Sequence, residues 1–599
     1  MAAPQRQWGT TPSISWTPPT EKEILQNQEL TDELKRQGQY EATSETDKKQ
    51  TLLVQLQKIA VEFVKHVCRK NNLPQSVIDS AGGKICTYGS YRLGAYAPGS
   101  DIDTLVAAPR HVTRDDFFEH MPSILERMLP PGAIEEMKAV PEAYVPIIKL
   151  VISGTDFDLN FTRLAISSVP FDLDVKDTNL LRGLDDRELR ALNGPRVADE
   201  LLQLVPQKKT FRTALRAIKL WAQRRAVYGN IVGFPGGVAW GMLVARVCQL
   251  YPQATGSVIV MKFFRIIGRW NWPQPILLKE PEDHPIQARV WNPRLYPTDK
   301  YHLMPIITPA YPAMCATHNI GPTTKKIIIQ ELERGGDITD KISFGKMQWK
   351  DLFTKHSYFT KDYKYYLSII SGSTTKDAQA SWSGFIESKV RLLVQSLENQ
   401  GSITVARLFN KGFAREHRCK DEDEISAVLR GELQYQASDV KTETTDTIKD
   451  PLHNAVAQGG ADAAAMTNGN GEATHDESEP HAFYTTTYYV GIELAQDSTK
   501  KLDVSEQSRD WKDQQCRSAG FEEGRNFLNI TATRSYDLPA DVFAPGEERP
   551  TRAKKKTAMK KAPVPGQKRS QDLSGMEDPA STPKDLKRPR IDDRRTSTG

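Results

Sequence analysis

The sequence lacks what would fix it to a disulfide framework, a zinc-cysteine site or a membrane. Its six cysteines, Cys68, Cys86, Cys248, Cys315, Cys419 and Cys516, are scattered without CxxC spacing. That argues against a structural zinc and fits a reducing compartment. No run of eighteen or more apolar residues is present, so no membrane-spanning helix is expected, and the opening MAAPQRQWGTTPSISW is too polar for a signal peptide. A large net charge is missing as well: 80 Lys and Arg stand against 75 Asp and Glu, a formal +5. That small excess hides an asymmetry. From Arg549 onward fifteen basic residues face six acidic ones, a net of +9, so the rest of the chain carries about −4. Any nucleic-acid surface in the folded body must be a local patch and not a bulk field.

What is present is length enough for about three domains and one information-rich stretch, residues 86–105, reading CTYGSYRLGAYAPGSDIDTL. Asp101 and Asp103 are two apart, so in a strand both carboxylates project to one face, with Ile102 and Leu105 expected to anchor the other. Bare carboxylates that close repel each other, and a hard divalent cation is the usual resolution. Gly89 and Ser90 predict a turn at a helix start, where free N–H groups and a hydroxyl hold phosphate oxygens while the carboxylates hold metal. In outline this is a phosphoryl-transfer site.

Along the chain, residues 1–19, rich in Pro, Ser and Thr, are expected to be disordered. Thr20 then caps a polar helix with acids in its first turn, and apolar residues at helical spacing from Leu52 to Val67 predict a second. Residues 85–88 read as the strand entering the Gly89-Ser90 turn. A helix is expected at 114–128, stopped by Pro130 and Pro131, and strands at 143–150 and 152–161 joined near Gly154. The second of these carries Asp156 and Asp158, again on one face. Spacing alone leaves both open as a third carboxylate of the site, while Asp172 and Asp174 in PFDLDVKD read as loop.

Residues 176–205 predict a short helix followed by LNGPRV. Helices come next at 211–225, with Arg212, Arg216, Lys219 and Arg225 as its charges, and at 238–250. Between them lie Tyr228, Asn230 and a Pro-Gly-Gly turn. IITPAYPAMCATHN, residues 306–319, reads as an ordered loop against a core, and a helix at 323–334 is expected to end at Gly335-Gly336. Strands at 359–370, 402–409, 481–494 and 527–533 with a helix at 382–397 suggest a compact α+β domain. Residues 437–480, with hardly a large apolar side chain, are expected to be a disordered insertion. After Asp537 comes a Pro/Lys/Arg/Ser tail whose basic clusters at 554–556, 560–561, 568–569 and 587–590 read as nuclear-import signals.

Taken together, GSYRLGAYAPGSDID, FDLNFTRL, LNGPRV, RAIKLWAQRRAVYGNIVGFPGGVAW and PIITPAYPAMCATHNI resemble the nuclear poly(A) polymerases of fungi, in the nucleotidyltransferase superfamily, over most of residues 20–535. The resemblance implies a multidomain α+β chain. A mixed-sheet nucleotidyltransferase catalytic domain would span 20–205, with its N-terminal helix packing on a helical middle domain, 206–350. A C-terminal α+β domain similar to an RNA-recognition fold would span 351–536, and a disordered basic tail 537–599. The resemblance also implies metal ligands at Asp101, Asp103 and Asp158, its pattern favouring Asp158 over Asp156, and a phosphate-binding turn at Gly89 and Ser90. Lys219 would approach the triphosphate, Tyr228 the nucleotide and Asn230 the base. Asn193, Gly237 and Val238 would line the adenine or sugar side, and Lys149 would contact substrate. With these come ATP, the 3′ end of single-stranded RNA and the cleavage and polyadenylation machinery as partners, two Mg²⁺ ions (or Mn²⁺) as cofactor, a nuclear location and a monomeric catalytic subunit. No aromatic K/R-G-F-G-F-V motif is present, so RNA contacts of the third domain are expected to be mainly electrostatic.

The expected reaction is template-independent transfer of AMP from ATP to an RNA 3′-hydroxyl with release of pyrophosphate. Two metal ions about 4 Å apart would be bridged by Asp101 and Asp103, with Asp158 on the ion that activates the hydroxyl. Each residue has an ordinary reading too: Asp103 as a helix cap, Lys219 as a solvated helix residue, Tyr228 as a core tyrosine, Asn230 as a left-handed turn residue. Two other functions stay open. A terminal uridylyltransferase would differ in the nucleotide it adds, and a non-catalytic RNA-binding protein would be expected to have lost one of the three carboxylates.

Overall fold

The chain divides into two units, Met1–Pro550 and Thr551–Gly599. In the computed structural model the described residues are 6–141, 146–286, 288–437, 442–446, 480–496 and 503–552. The architecture below belongs to the first unit.

Helix α1 (Glu21–Arg36) begins at Thr20, whose hydroxyl accepts from the Glu23 N–H while the Glu23 carboxylate accepts from the Thr20 N–H. This reciprocal cap satisfies two helix-end donors. α2 (Thr43–Lys70) and α3 (Gln75–Asp79) lead into β1 (Lys84–Thr87), α4 (Gly89–Leu93), β2 (Ile102–Ala108), α5 (Arg114–Met128), β3 (Ile134–Val140), β4 (Ile147–Ile152) and β5 (Thr155–Arg163). The strands form a mixed sheet in the order β1-β2-β5-β4-β3, with β2 and β5 parallel and the other pairs antiparallel. Alternation sorts its two faces. Ile102, Val106, Phe157, Leu159 and Phe161 share a core with α2 and α5. Leu105, expected on that side, instead shares the face of Asp103 and is buried in a different core.

That second face is covered by α6 (Asp186–Leu204), where the Thr162 hydroxyl of β5 donates to the Glu188 carbonyl at 3.2 Å. The sequence predicts a break before LNGPRV, yet α6 runs straight through Gly194 and Pro195. Proline forfeits one ladder hydrogen bond, but Leu192, Gly194, Val197 and Leu201 are all buried there. Gly194 is needed small: a Cβ on it would come within 2.9 Å of the Tyr88 ring.

A helical block follows: α7 (Lys208–Arg224), α8 (Gly237–Leu250), α9 (Gly256–Gly268), α10 (Pro297–Lys300), α11 (Pro322–Ser343) and α12 (Trp349–Leu352). α8 is buried on every side, the mark of a central helix. α1 packs on α9, and the Ser257 N–H donates to Asn27 Oδ1 at 3.1 Å. The Gly335-Gly336 pair does not end α11. A Cβ at Gly335 would overlap the Phe264 ring and one at Gly336 would lie 2.9 Å from Arg265, so the pair permits close approach to α9 and is no terminator. Residues 8–15, expected to be disordered, dock on the end of α8: Arg246 donates to the Thr11 hydroxyl (2.7 Å) and Gln249 to the Trp8 carbonyl (3.1 Å). Buried Arg246 and Gln249 need acceptors, and this segment supplies them.

The third block contains β6 (Tyr365–Ser373), α13 (Lys376–Glu398), β7 (Ile403–Leu408), β8 (Lys411–Cys419), α14 (Glu422–Leu429), β9 (Glu443–Asp446), β10 (His481–Leu494), α15 (Ser505–Cys516) and β11 (Asn526–Arg534). The sheet order is β11-β6-β10-β8-β9, with β7 also on β10, all antiparallel. A π-helical turn, Tyr358–Asp362, stands where the strand is predicted to begin. β9 falls inside residues 437–480, most of the remainder of which lies outside the described residues, as do the basic clusters beyond residue 552. The folded body does not stop at Asp537: Leu538 and Val542 are buried in an aromatic cluster, and Asp541 pairs with Arg415 at 2.7 Å.

One acid with a buried carboxyl oxygen, Glu387, half-buried as a residue, sits where α13 meets this sheet. Glu387 Oε1 has no hydrogen-bond partner, and burial pushes its carboxyl up from 4.5 to about 7. The folded protein therefore keeps a proton that the unfolded chain releases, so stability falls as pH rises from 4.5 to about 7. Glu387→Gln is expected to stabilise the protein at pH 8 by on the order of 3 kcal/mol and to have little effect near pH 4.5. Thermal melts of both proteins at the two pH values check this, and a gain of equal size at both would contradict it.

Candidate active site

Asp103 on β2 and Asp158 on β5 are register partners across the parallel pair. Lys149 on β4 is the partner of Asp158, and Lys138 on β3 that of Lys149. Partners in register project from one face. Across four strands the sheet thus carries the row Asp103, Asp158, Lys149, Lys138, two acids followed by two bases. Asp103 and Asp158 are only 3% and 9% exposed, and at the strand spacing of about 4.8 Å their repulsion is on the order of a few kcal/mol. Asp103 lies in the strand and is not a helix cap.

Tyr88 reports on the charge of this cluster. Its N–H donates to the Asp103 carbonyl at 3.0 Å and its ring is buried. Burial first, and then the negative charges of Asp103, Asp158 and Asp101, hold the hydroxyl well above the ordinary tyrosine range, against a hydrogen bond with Asn160. One hydroxyl therefore senses all three carboxylates, although Asp101 precedes β2. Asp156 lies two residues upstream on β5, paired with Val151.

The Gly89-Ser90 turn closes over the same acids. Gly89 has φ +60°, and a Cβ there would overlap Asp103 Oδ2. The position requires glycine twice, for its backbone and for the space beside the carboxylate. Ser90 is buried in the first turn of α4. Gly94 ends that helix in the left-handed conformation, and Arg212 of α7 donates from Nε to the Leu93 carbonyl at 3.1 Å. Among the described residues, no three His, Cys, Asp or Glu side chains are drawn close enough to hold a metal ion by themselves. Asp101, Asp103 and Asp158 form an open set, the kind Mg²⁺ completes with substrate phosphates and water.

Asn193 lies on α6 next to Gly194, and its Oδ1 is buried without a hydrogen-bond partner. The remaining predicted residues belong to the helical block. Lys219 stands half-buried on α7, two turns beyond Arg212. The loop after α7 is closed on itself: the Gly229 N–H donates to the Pro235 carbonyl (3.2 Å) and the Phe234 N–H to the Gly229 carbonyl (3.0 Å). Its left-handed positions are Ala226, Gly229 and Gly233 and not Asn230, which removes the ordinary reading of that asparagine. Tyr228 and Asn230 are buried in it, and Gly237 and Val238 start α8 after the Gly236 cap.

Asp101, Asp103, Asp158, Gly89, Ser90 and Lys149 are thus brought together on and beside one sheet face, with Asn193 nearby. Lys219, Tyr228, Asn230, Gly237 and Val238 form a second set, tied to the first where α7 grips α4. Tyr88, Asn160 and Lys138 went unread as parts of the site, and Arg212 was read only as a charge on its helix. Lys138 could have been found had IEEMKAV been recognised as a strand.

Three family models match the chain: "Poly(A) polymerase nucleotidyltransferase domain" over residues 9–205, "Poly(A) polymerase central domain" over 210–355 and "Poly(A) polymerase predicted RNA binding domain" over 357–552. The chain is similar to the poly(A) polymerase pla1 of Schizosaccharomyces pombe, 46% identical over 576 residues that cover 95% of this chain and 99% of that one. It is similar also to the poly(A) polymerase PAPalpha of Candida albicans, 46% identical over 587 residues covering 96% and 98%. Among solved structures, a Cid1 poly(U) polymerase crystal structure aligns with a TM-score of 0.36 and 13% identity over 56% of this chain and 98% of that one, too distant to bear on function.

The double demand on Gly89 makes it a sharp test of the site. Gly89→Ala is expected to lower nucleotidyl transfer by about 100-fold, the scale of a displacement near 1 Å at a reacting centre, while thermal melting shows a folded protein. Transfer at the unaltered rate would remove the Gly89 turn from the site.

Proposed function

The chain belongs to the poly(A) polymerase family of the nucleotidyltransferase superfamily, and from that premise we propose that it is a nuclear enzyme adding AMP from ATP, without a template, to the 3′-hydroxyl of pre-mRNA with release of pyrophosphate. The observation that carries the reading of its site is the Asp103-Asp158 register pair set against the Gly89 turn. The proposed division of labour is catalysis in 20–205, nucleotide binding shared with 206–350, and RNA binding in the block that begins at 351 and continues past Asp537. The chain works as a monomeric catalytic subunit, brought to its RNA by the cleavage and polyadenylation machinery.

The negative charge around Tyr88 and the register-paired Asp103 and Asp158 fit divalent cations. Asp101, Asp103 and Asp158 would hold two Mg²⁺ ions, or Mn²⁺, which when bound lower the pKa of the attacking hydroxyl and offset the charge of the leaving pyrophosphate. The Ser90 hydroxyl and the N–H groups opening α4 bind triphosphate oxygens. Lys149, beside Asp158, and Lys219 offset phosphate charge. Asn193 Oδ1 accepts a hydrogen bond from adenine or ribose, Asn230, Gly237 and Val238 line the base, and Tyr228 backs them from the core. Each hydrogen bond that a wrong base leaves unmade at a buried edge costs about 1–3 kcal/mol. Base choice therefore needs no template.

Incubation of the enzyme with an oligoribonucleotide, Mg²⁺ and each NTP separately is expected to give long products with ATP alone; equal extension with UTP would point to a uridylyltransferase. Asp103→Ala and Asp158→Ala are each expected to cost several orders of magnitude in rate, and Asp156→Ala less than about tenfold. The reverse order for the last two would move the third ligand to Asp156. Removing residues 553–599 is expected to leave extension intact and to redirect the protein from nucleus to cytoplasm, as imaging of a fluorescent fusion would report.

A further inference from the structure

The loop read above as part of the nucleotide site is not held by the helical block alone. Arg407 lies on β7 of the third domain and is 3% exposed. Its Nη2 donates to the Arg225 carbonyl at 3.0 Å and to the Ala226 carbonyl at 2.9 Å. These are the carbonyls just past the end of α7, where a helix leaves its acceptors unsatisfied and a cation is favoured. Ala226 carries φ +50°, a strained value for a residue with a Cβ, and the next residues are Val227 and Tyr228.

The same guanidinium also reaches the far end of the loop. It lies over the Phe234 ring at 5.7 Å, and Phe234 is hydrogen-bonded back to Gly229 between Tyr228 and Asn230. Arg407 is itself set by its surroundings: the Tyr358 hydroxyl donates to its carbonyl at 2.7 Å, the Tyr358 ring lies at 5.4 Å, and Asp362 stands 3.9 Å from Nη1. A second tie runs in parallel. Asn319 donates from Nδ2 to the Asn230 carbonyl at 3.1 Å, just before α11, whose Thr323 N–H donates to Glu398 of α13 at 2.9 Å and whose Thr323 hydroxyl accepts from the Ala406 N–H at 3.3 Å. The third domain thus touches the loop at its start, at Phe234 and, through Asn319, at Asn230.

We propose that Arg407 is a positioning residue for ATP: from the third domain it fixes the conformation of the 225–234 loop, so that this domain serves the nucleotide site as well as RNA. A guanidinium does this where an ammonium would not. Its planar fork donates to two carbonyls at once and stacks on an aromatic face. This rests on the reading of Tyr228 and Asn230 as parts of the ATP site.

The test is steady-state kinetics of the full chain with Arg407→Ala and Arg407→Lys, varying ATP and primer separately. Arg407→Ala is expected to raise the KM for ATP about tenfold with the KM for primer unchanged, and Arg407→Lys to fall between. Guanidinium at a few tens of millimolar, far below its denaturing range, is expected to restore the KM of the alanine variant but not that of Asn230→Ala. Arg415→Lys serves as control: Arg415 is buried in the same domain, and its hydrogen bonds go to Asp541, Thr487 and Tyr489 and not to the loop, so it loses stability without a change in KM for ATP. If Arg407→Ala does not fold, Arg407→Lys carries the comparison. An unchanged KM for ATP in the folded variants, or a defect like that of Arg415→Lys that guanidinium leaves untouched, would overturn the proposal. If Tyr228→Phe and Asn230→Ala also leave that KM unchanged, the loop reading itself is wrong; if they raise it and Arg407 variants do not, only the positioning role fails.

Discussion

Asp103 and Asp158 are forced side by side by the parallel pairing of β2 and β5, and much of the first domain is arranged around that unfavourable contact. A parallel pair cannot be closed by a tight turn; it needs a crossover. Here the crossover is α5 with β3 and β4, and β4 returns beside β5 carrying Lys149 opposite Asp158. The connection that makes the pairing possible therefore also delivers the nearest positive charge. Further along the same face, the Thr162 hydroxyl donates to α6 and Leu105 joins the core that α6 shares. Like charges kept at small exposure are stable only when something overdetermines them. Strand register on one side and the apolar core on the other do so here.

The Gly89 turn depends on that contact in turn. A carboxylate set into the sheet beside β1 leaves no volume for a side chain at residue 89, and the turn opens α4, too short to be stable alone. It is held from outside: Tyr88 against Gly194 of α6, and the Leu93 carbonyl on Arg212 of α7. Beside exposed ion pairs such as Lys138–Asp377 and Lys326–Glu493, the blocks are joined by buried, specific polar ties. Arg225, which pairs with Glu331 at 2.8 Å, also reaches the carbonyls of Thr354 and Lys355, and Arg407 returns the connection from β7. Charges so enclosed cost heavily if one partner is lost.

Much of this was legible in residues because it is local. The two-residue period put Asp156 with Asp158 on one face of β5, while Asp101 falls just before β2, and the Thr20 cap, the 114–128 helix and the 481–494 strand stand where the pattern says. What failed to read was non-local. Gly194-Pro195 and Gly335-Gly336 look like helix ends; they are contact points, where Tyr88 and Phe264 come from elsewhere in the chain to fill the space a side chain would take. β3 hides because the apolar residues of IEEMKAV, Ile134, Met137, Ala139 and Val140, keep no two-residue period, as an edge strand allows. Residues 8–15 look like a tail because the need they meet, acceptors for Arg246 and Gln249, lies more than two hundred residues away. Spacing within β5 leaves Asp156 and Asp158 alike, and the register that sets Asp158 opposite Asp103 lies across the sheet in β2.

The third domain follows the same logic with opposite chemistry. Residues 486 and 488 of β10 face α13, through Gln379 to Thr486 and Tyr488 to Ser383. Residues 485, 487 and 489 face the other way, and with Arg415, His417, Ser368 and Thr533 they line a cavity of about 220 Å³. A sheet that grips single-stranded RNA by stacking would show aromatic rings on such a face. Here Tyr358, Phe359, Phe409, Phe413 and Tyr489 are spent on one another and on Leu538 and Val542 in a closed cluster. The charge of Arg415 is already answered by Asp541. What the sheet offers is hydroxyl groups, which hold a strand loosely and read it little. The same domain reaches the loop beside Tyr228 through Arg407 of β7 and, by way of Glu398 of α13, through the start of α11.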